Sequence, residues 1–222
     1  MQNNAASKKA LIGMIVFLVL FVALLAGSFF VDRAAIGPEG SVVPFSTLNQ
    51  QCFEGLGGYH AAFYKITQYV GYLPIALALL CCFGALINLI RAKSLKKMEP
   101  RFLWAVLACV VIGACYVLFG KMRVTLRPVI LDAAEGLEDS FPSTHCLIAV
   151  GVFGCALTFY PTLTDSLGVR LLLFVLTVLL MAFIVLGRLY SGVHWVSDIA
   201  AGCCLGAAIA CGYRWRVTKE QE

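Results

Sequence analysis

The chain has 222 residues, of which 61% are hydrophobic and only 13% are charged. A soluble domain would be about half apolar and about a quarter charged, so the composition excludes an ordinary soluble protein and indicates a polytopic membrane protein. The formal net charge is +5, but the distribution of the basic residues, described below, argues against a nucleic-acid partner.

The first apolar run, residues 10–31, carries no charge and follows the basic pair Lys8-Lys9. It has the length of a membrane span and exceeds the usual apolar region of a signal peptide. A cleaved signal peptide is the alternative, because residues 23–26 include small side chains, but the length favours a retained span. Residues 45–64 follow a stretch broken by glycine and proline and are predicted to form an amphipathic segment at the outer membrane surface.

Five further apolar runs follow, which gives six predicted membrane spans. We place the spans at about residues 10–31, 66–90, 102–120, 141–160, 171–187 and 195–213. The sixth apolar run is short, but a helix that begins near residue 195 reaches about 28 Å at about 1.5 Å per residue, enough to cross a bilayer. The expected fold is all-α: a six-transmembrane-helix bundle that forms a single membrane domain over residues 1–222.

Basic residues concentrate on one side of this bundle. With six spans, both chain ends share a side with the connections between spans two and three and between spans four and five. That side holds 11 of the 17 basic residues, namely Lys8, Lys9, Arg91, Lys93, Lys96, Lys97, Arg101, Arg170, Arg214, Arg216 and Lys219. The positive-inside rule places it, with both termini, in the cytoplasm. The distribution of basic residues therefore indicates the orientation of the chain in the membrane. The small size and simple six-span topology favour a bacterial plasma membrane.

Two polar connections, residues 121–140 and 188–198, must then share the outer face. These connections and the start of the fourth span contain Lys121, Arg123, Arg127, Ser143, His145, Arg188, His194 and Asp198. Each residue alone has an ordinary explanation as a snorkelling flank or a helix cap. Their coincidence at one depth on one face indicates a functional site.

The residue types in this set suit a phosphoryl group. Arginine matches phosphate oxygens in a bidentate fork, and a helix N-terminus near Ser143 favours anions. His194 and Asp198 are four residues apart, so one helical turn would put both on the same face. An imidazole held by a carboxylate can act as a nucleophile. A second imidazole, at His145, can act as a general acid and base.

Neither a metal site nor a disulfide framework is indicated. Eight of the ten cysteines lie inside apolar runs, where thiols act as small hydrophobic groups. Cys52 and Cys146 lie near polar segments but have no Cys-x-x-Cys spacing. The carboxylates do not cluster as a two-metal site would require. We therefore expect no metal and no cofactor.

Three motifs in these connections resemble those of the type 2 phosphatidic acid phosphatase family, lipid phosphatases related to vanadium haloperoxidases and bacterial acid phosphatases. Arg127-Pro128 resembles the end of the first motif. Pro-Ser-Thr-His at residues 142–145 resembles the second. Residues 187–198, with an arginine, a histidine six positions later and an aspartate four positions after that, resemble the third. The resemblance extends to the six-span layout and covers most of the chain.

The resemblance implies a role for each matching residue. His194 would be the nucleophile that becomes a phosphohistidine, and Asp198 would orient it. His145 would be the general acid and then the base for water. The phosphate oxygens would be held by Arg127, Arg188, Ser143 and Lys121.

The chain departs from the family pattern at three positions. Gly187 replaces a serine. Thr144 replaces a glycine, and its side chain either narrows the pocket or caps the helix. The family's first-motif lysine would fall at Gly120, one residue before Lys121. On a helix this shift turns the side chain, so either Lys121 reaches the site through its flexible stem or Arg123 replaces it.

The expected function is a metal-independent phosphatase for a membrane lipid phosphate or diphosphate, at the outer leaflet. Undecaprenyl diphosphate, phosphatidylglycerol phosphate and phosphatidic acid are the candidate substrates. One alternative is a phosphotransferase that passes the phosphoryl group to a second lipid. A membrane scaffold or transporter is another, but the spans contain almost no charge. The acidic residues before the second motif are Asp132, Glu135, Glu138 and Asp139. They are predicted to form a solvated loop whose charge favours the start of the fourth span, and binding of a cation or a substrate head group is the alternative.

Overall fold

The computed structural model describes residues 2–220, which form eight α-helices. Their bounds are α1 Gln2–Phe30, α2 Ser46–Gly55, α3 Ala61–Val70, α4 Tyr72–Ala92, α5 Pro100–Phe119, α6 Thr144–Phe159, α7 Leu167–Tyr190 and α8 Val196–Lys219. Six helical stretches are long and apolar enough to cross a membrane, with α3 and α4 counted as one stretch. The prediction of an all-α, six-span membrane protein is confirmed.

The segment predicted as one interfacial stretch at residues 45–64 forms two short helices, α2 and the beginning of α3. A turn at Gly57 and Gly58 separates them, with φ values of +84° and +77°. Backbone in this region is accessible to glycine at no steric cost, so the chain reverses there. The helix α3 then runs past residue 64 and leads through Gly71 directly into α4, and it packs against α7.

The helix α8 lies at the centre of the bundle. It packs along α1 and α6 and also touches α2, α5 and α7. Glycines allow the backbones of α6 and α8 to approach closely: an added Cβ at Gly202 would lie 2.5 Å from the Ser143 carbonyl oxygen, and one at Gly206 would lie 2.8 Å from the Leu147 carbonyl oxygen. This approach brings the second motif against the third.

The start of α8 is held from outside by α2. The Asn49 side chain is fully buried, and its Oδ1 accepts from the Ser197 N–H at 3.1 Å, while its Nδ2 donates to Ser197 Oγ at 2.9 Å. A first-turn N–H of a helix has no intrahelical partner, so this contact satisfies one of those donors. The short helix α2 therefore fixes where α8 begins.

The connection between α5 and α6 doubles back on itself as a short antiparallel ladder. Leu126 and Asp139 form the bridge pair, the Arg127 N–H donates to the Glu138 carbonyl at 3.0 Å, and the Ser140 N–H donates to the Thr125 carbonyl at 2.8 Å. The indole Nε1 of Trp195 donates to the Leu126 carbonyl oxygen at 2.8 Å. The ladder is thereby attached to the segment between α7 and α8.

An aromatic cluster packs below the ladder. The ring centroids of Phe21 and Phe119 lie 5.5 Å apart edge to face, and those of Phe21 and Phe141 lie 6.1 Å apart and nearly parallel. All three side chains are buried. They connect α1 and the end of α5 to the residue just before the second motif. The start of the second motif is therefore packed against a buried apolar cluster.

Candidate active site

The polar residues singled out in the sequence converge at the end of the bundle where α6 and α8 begin. The connection between α7 and α8 supplies His194, the end of α7 supplies Arg188, and the ladder supplies Arg127. The start of α6 supplies Ser143 and His145. The three motifs, which are far apart in the chain, therefore form one cluster.

The His194 ring has one polar partner on each nitrogen. Its Nε2 lies 3.2 Å from Arg188 Nη2, and its Nδ1 lies 2.9 Å from Ser140 Oγ. Because a guanidinium can only donate, Nε2 is the acceptor and Nδ1 carries the proton, which it donates to the Ser140 hydroxyl. This tautomer directs the Nε2 lone pair toward the guanidinium of Arg188.

The electrostatic surroundings keep this ring neutral. Burial lowers the pKa of His194 well below its usual range, and the nearby Arg188, Arg127 and His145 lower it further. A neutral imidazole at physiological pH has the free lone pair that a nucleophile needs. The structure therefore places an unprotonated Nε2 beside a fixed cation.

The predicted contact between Asp198 and His194 is not made. The helix α8 begins at Val196 and Trp195 is extended, with φ −69° and ψ 152°, so His194 lies before the helix and the four-residue spacing does not put the two side chains on one face. Within residues 2–220, no hydrogen bond or ion pair joins the two side chains. Asp198 is fully buried and accepts from Thr125 Oγ1 at 3.1 Å.

Arg188 is a fully buried cation without a carboxylate partner in the described part of the chain. Its Nη1 lies 3.4 Å from Gln68 Oε1, and its guanidinium stands 5.3 Å from the centroid of the Tyr64 ring. A buried charge without a counter-charge is costly. The site therefore suits an anion, which would supply the missing counter-charge.

Of the buried donor groups that have no hydrogen-bond partner within residues 2–220, three belong to this cluster: Arg188 Nε, Arg127 Nη1 and Ser143 Oγ. Ser143 is the N-cap residue of α6, and its own N–H donates to the Asp198 carbonyl at 2.9 Å. The free N–H groups of the first turn of α6 lie next to it, and such groups favour an anion. Together these donors match the oxygens of a phosphate.

The second histidine, His145, lies in the first turn of α6 and touches the junction of α3 and α4. An added Cβ at Gly71 would lie 2.6 Å from His145 Cδ2, so the absence of a side chain at Gly71 leaves room for the imidazole. His145 lies close enough to His194 to affect its pKa. The two imidazoles therefore belong to one cluster.

A cavity of about 420 Å³ opens from His194 toward the end of α5. Lys121, Arg127 and Thr144 all line it. Arg123 does not: its Nη2 donates to the Leu137 carbonyl at 3.0 Å, and its Nε lies 3.7 Å from Asp139 Oδ1. Of the two cations considered for the first-motif position, Lys121 therefore lines the cavity and Arg123 is turned toward the ladder.

Two of the acidic residues in the predicted solvated loop are partly buried and paired. Arg127 Nε lies 2.9 Å from Glu138 Oε2, and Asp139 faces Arg123. Burial raises the pKa of Asp139, while Arg123 and Arg127 lower it. The prediction of a solvated loop is therefore wrong for Glu138 and Asp139, because the ladder brings both residues to the edge of the cavity.

The departure at Gly187 has a steric explanation. An added Cβ there would lie 2.5 Å from Thr67 Cγ2, and Thr67 is fully buried on α3. A serine would need Thr67 to move. The methyl group of Thr67 therefore occupies the space that a side chain at residue 187 would need.

The sequence analysis did not identify five residues that line or support the cluster. They are Tyr64, Thr67, Gln68, Thr125 and Ser140. Ser140 lies two residues before the second motif, which was a usable signal. The residues on α3 carry no motif, and only the fold brings that helix against Arg188.

Comparisons with known proteins relate the chain to membrane phosphatases. Residues 73–222 match the family model described as the PAP2 superfamily. Over 88 residues the chain is 33% identical to a dihydrosphingosine 1-phosphate phosphatase of Schizosaccharomyces pombe; this match covers 39% of the chain and only 21% of that protein.

Two solved structures are similar in fold. The first transmembrane PAP2 type phosphatidylglycerolphosphate phosphatase from Bacillus subtilis superposes with a TM-score of 0.58, over 90% of this chain and 94% of that one, at 16% identity. Aquifex aeolicus LpxE gives a TM-score of 0.44, over 75% of this chain and 94% of that one, at 23% identity. The first of these likenesses supports the fold described above.

Proposed function

The chain belongs to the PAP2 superfamily, and we propose that it is a membrane phosphatase that removes phosphate from a lipid phosphate or diphosphate through a phosphohistidine. One observation carries this proposal. A neutral, buried His194 points its Nε2 at Arg188, a buried cation with no carboxylate partner in the described residues. A nucleophile facing an anion-binding group is the arrangement that phosphoryl transfer to a side chain requires.

In the first step, the phosphate of the substrate binds among Arg188, Arg127 and Ser143. The Nε2 lone pair of His194 attacks phosphorus, the phosphorus–oxygen bond to the lipid breaks, and the leaving oxygen takes a proton from His145. The Nδ1 proton of His194 stays on the ring, in its hydrogen bond with Ser140. The fixed guanidinium groups stabilise the charge that develops on the phosphoryl oxygens.

In the second step, water attacks the phosphohistidine. His145, now neutral, takes a proton from the water as its oxygen bonds to phosphorus. The phosphorus–nitrogen bond breaks, inorganic phosphate leaves, and His194 and the protonated His145 are regenerated. The residues involved need no metal for either step, so we propose a metal-independent reaction.

The cavity supports a lipid substrate. It runs from His194 to Tyr116 and Val117 on α5, and those two side chains are 54% and 56% exposed on the apolar surface of the bundle. A phosphate could therefore lie at His194 while its apolar chain stays in the bilayer. Undecaprenyl diphosphate, phosphatidylglycerol phosphate and phosphatidic acid remain candidates, and the yeast relative adds dihydrosphingosine 1-phosphate.

We also propose that the site faces the outer leaflet of a bacterial plasma membrane, with both termini in the cytoplasm. The support is the asymmetric distribution of basic residues along the chain. A phosphotransferase would use the same phosphohistidine and differ only in the acceptor, so the product distinguishes the two reactions.

The test is phosphate release by the purified protein from each candidate lipid, in the presence of a chelator. We expect release by the wild type and none by His194→Ala. His60→Phe is the matched control, because His60 stacks on Tyr190 at 4.3 Å, outside the cluster, and phenylalanine keeps a ring there. Full activity in His194→Ala, or a strict metal requirement, would contradict the mechanism. A phosphorylated lipid without free phosphate would indicate transfer.

A further inference from the structure

Ser140 occupies the position at His194 that was expected for the Asp198 carboxylate. It is 2% exposed, and its hydroxyl lies 2.9 Å from His194 Nδ1. The ladder fixes this geometry through the backbone, because the Ser140 N–H donates to the Thr125 carbonyl at 2.8 Å. Because this bond uses only the backbone N–H, the Ser140 hydroxyl can form hydrogen bonds with side chains.

The Asp198 carboxylate lies near this hydroxyl. Its Oδ1 accepts from Thr125 Oγ1 at 3.1 Å. Its Oδ2 has no hydrogen-bond partner among residues 2–220. A serine hydroxyl has one proton to donate and lone pairs to accept. It can therefore accept from His194 Nδ1 and direct its own proton to Asp198.

We propose that Ser140 is the positioning residue of the nucleophile, and that Asp198 acts on His194 only through the Ser140 hydroxyl. The inference rests on the proposed phosphatase function and adds a residue to it. Ser140 accepts from Nδ1–H, and together with the Arg188 contact at Nε2 this keeps the lone pair on Nε2. Ser140 also accepts from the Nδ1–H of the cationic ring after phosphorylation. Ser140 does not touch the reacting atoms, and no proton leaves Nδ1 in either step.

The ladder gives the proposal a selective test. Ser140→Ala removes the hydroxyl and leaves the backbone bond to Thr125 intact, so the fold keeps its local support. The variant loses the hydrogen bond that positions His194 Nδ1, so kcat should fall by about 10- to 100-fold. KM should change less than kcat, because the Ser140 hydroxyl is engaged by His194 Nδ1.

Coupling between the two side chains distinguishes a relay from independent supports. If Asp198 acts only through Ser140, the combined Ser140→Ala and Asp198→Asn variant should be no slower than Ser140→Ala alone. Independent effects would multiply instead, and multiplied losses would overturn the relay. Ser140→Thr keeps the hydroxyl and should recover part of the kcat that alanine loses.

The tautomer itself can be read without any substrate. The chain has only three histidines, so protein labelled with nitrogen isotope in histidine gives few ring signals, and His194→Gln assigns one of them. The wild type should show His194 with its proton on Nδ1. In Ser140→Ala the Nδ1 signal should shift, because this N–H loses its acceptor.

The His145 and His60 signals should not change in Ser140→Ala. Two results would overturn the inference. One is an Nε2–H tautomer in the wild type. The other is a Ser140→Ala variant whose His194 ring nitrogen signals are unchanged and whose kcat is within about twofold of the wild type. If the wild type released no phosphate, the proposed function would be wrong. The tautomer measurement, which uses no substrate, would still test the contact between Ser140 and His194.

Discussion

Arg188 Nη2 lies 3.2 Å from His194 Nε2, and both side chains are buried. The cation therefore contacts the atom that would attack phosphorus. The contact holds the ring in place, and Arg188 adds to the effect of burial in lowering the pKa of His194.

The shape of Arg188 should matter as much as its charge. Arg188→Lys keeps a cation but loses the planar fork that reaches His194 and Gln68 together. We expect kcat/KM to fall by about 10²-fold or more, as for the loss of one oxyanion-binding donor. Arg170→Lys, which alters an arginine paired with Asp165 at the other end of α7, is the control. Equal activity of the two lysine variants would contradict this role.

The packing of Gly187 against Thr67 predicts a destabilised variant that a second change rescues. Gly187→Ala places a Cβ 2.5 Å from Thr67 Cγ2, so we expect a loss of about 1–3 kcal/mol in stability, as for overpacked cores. Thr67→Ser removes that methyl group and keeps the hydroxyl that bonds to Phe63 and Tyr64.

Thermal unfolding of the single and double variants in detergent tests this packing. The double variant should recover most of the lost stability. The steric explanation fails if Gly187→Ala is as stable as the wild type, or if Thr67→Ser gives no recovery.

The lowered pKa of His194 predicts how stability depends on pH. The unfolded histidine takes up a proton near its ordinary pKa of 6.5, while burial makes the pKa of the native ring lower. The native protein therefore loses stability as pH falls below about 6.5, by at most about 1.4 kcal/mol per pH unit from this group. The loss continues until the native ring is itself protonated.

A comparison of melting temperatures between pH 7.5 and about pH 5 measures this effect. His194→Gln cannot be protonated, so its melting temperature should fall less steeply than that of the wild type. Parallel curves for the two proteins would show that His194 does not titrate differently in the folded and unfolded states.

The position of Lys121 on the cavity predicts unequal roles for the two neighbouring cations. Lys121→Ala removes a charge that faces the substrate cavity, and kcat/KM should fall by about 3- to 10-fold. Arg123→Ala breaks contacts with Leu137 and Asp139, so it should affect the stability of the ladder and change activity by less than about twofold. The reverse order of effects would assign the first-motif role to Arg123.

The sequence was sufficient for the six spans and for the meeting of the three motifs. Long apolar runs fix the spans, and the parity of six spans brings residues 121–140 and 188–198 to one face. The contact of His194 with Ser140 was not predictable in the same way. The four-residue spacing to Asp198 assumed a continuous helix, whereas Trp195 is extended and Gly192 has a φ of +67°.

The contribution of α3 was also invisible in the sequence. Gln68 and Tyr64 are four residues apart in a helix that was predicted only in part, and nothing in their local sequence indicates that they face Arg188. That contact depends on the packing of α3 against α7, the helix that carries Arg188. Long-range packing of this kind is decided by the whole fold.

We propose that His194 carries the phosphoryl group during turnover. Rapid quenching with a radiolabelled lipid phosphate, followed by peptide mapping under conditions that preserve phosphohistidine, measures this directly. We expect an acid-labile label on the peptide that contains His194, formed with chelator present and absent from His194→Ala. A label on another residue, or steady turnover in His194→Ala, would contradict it.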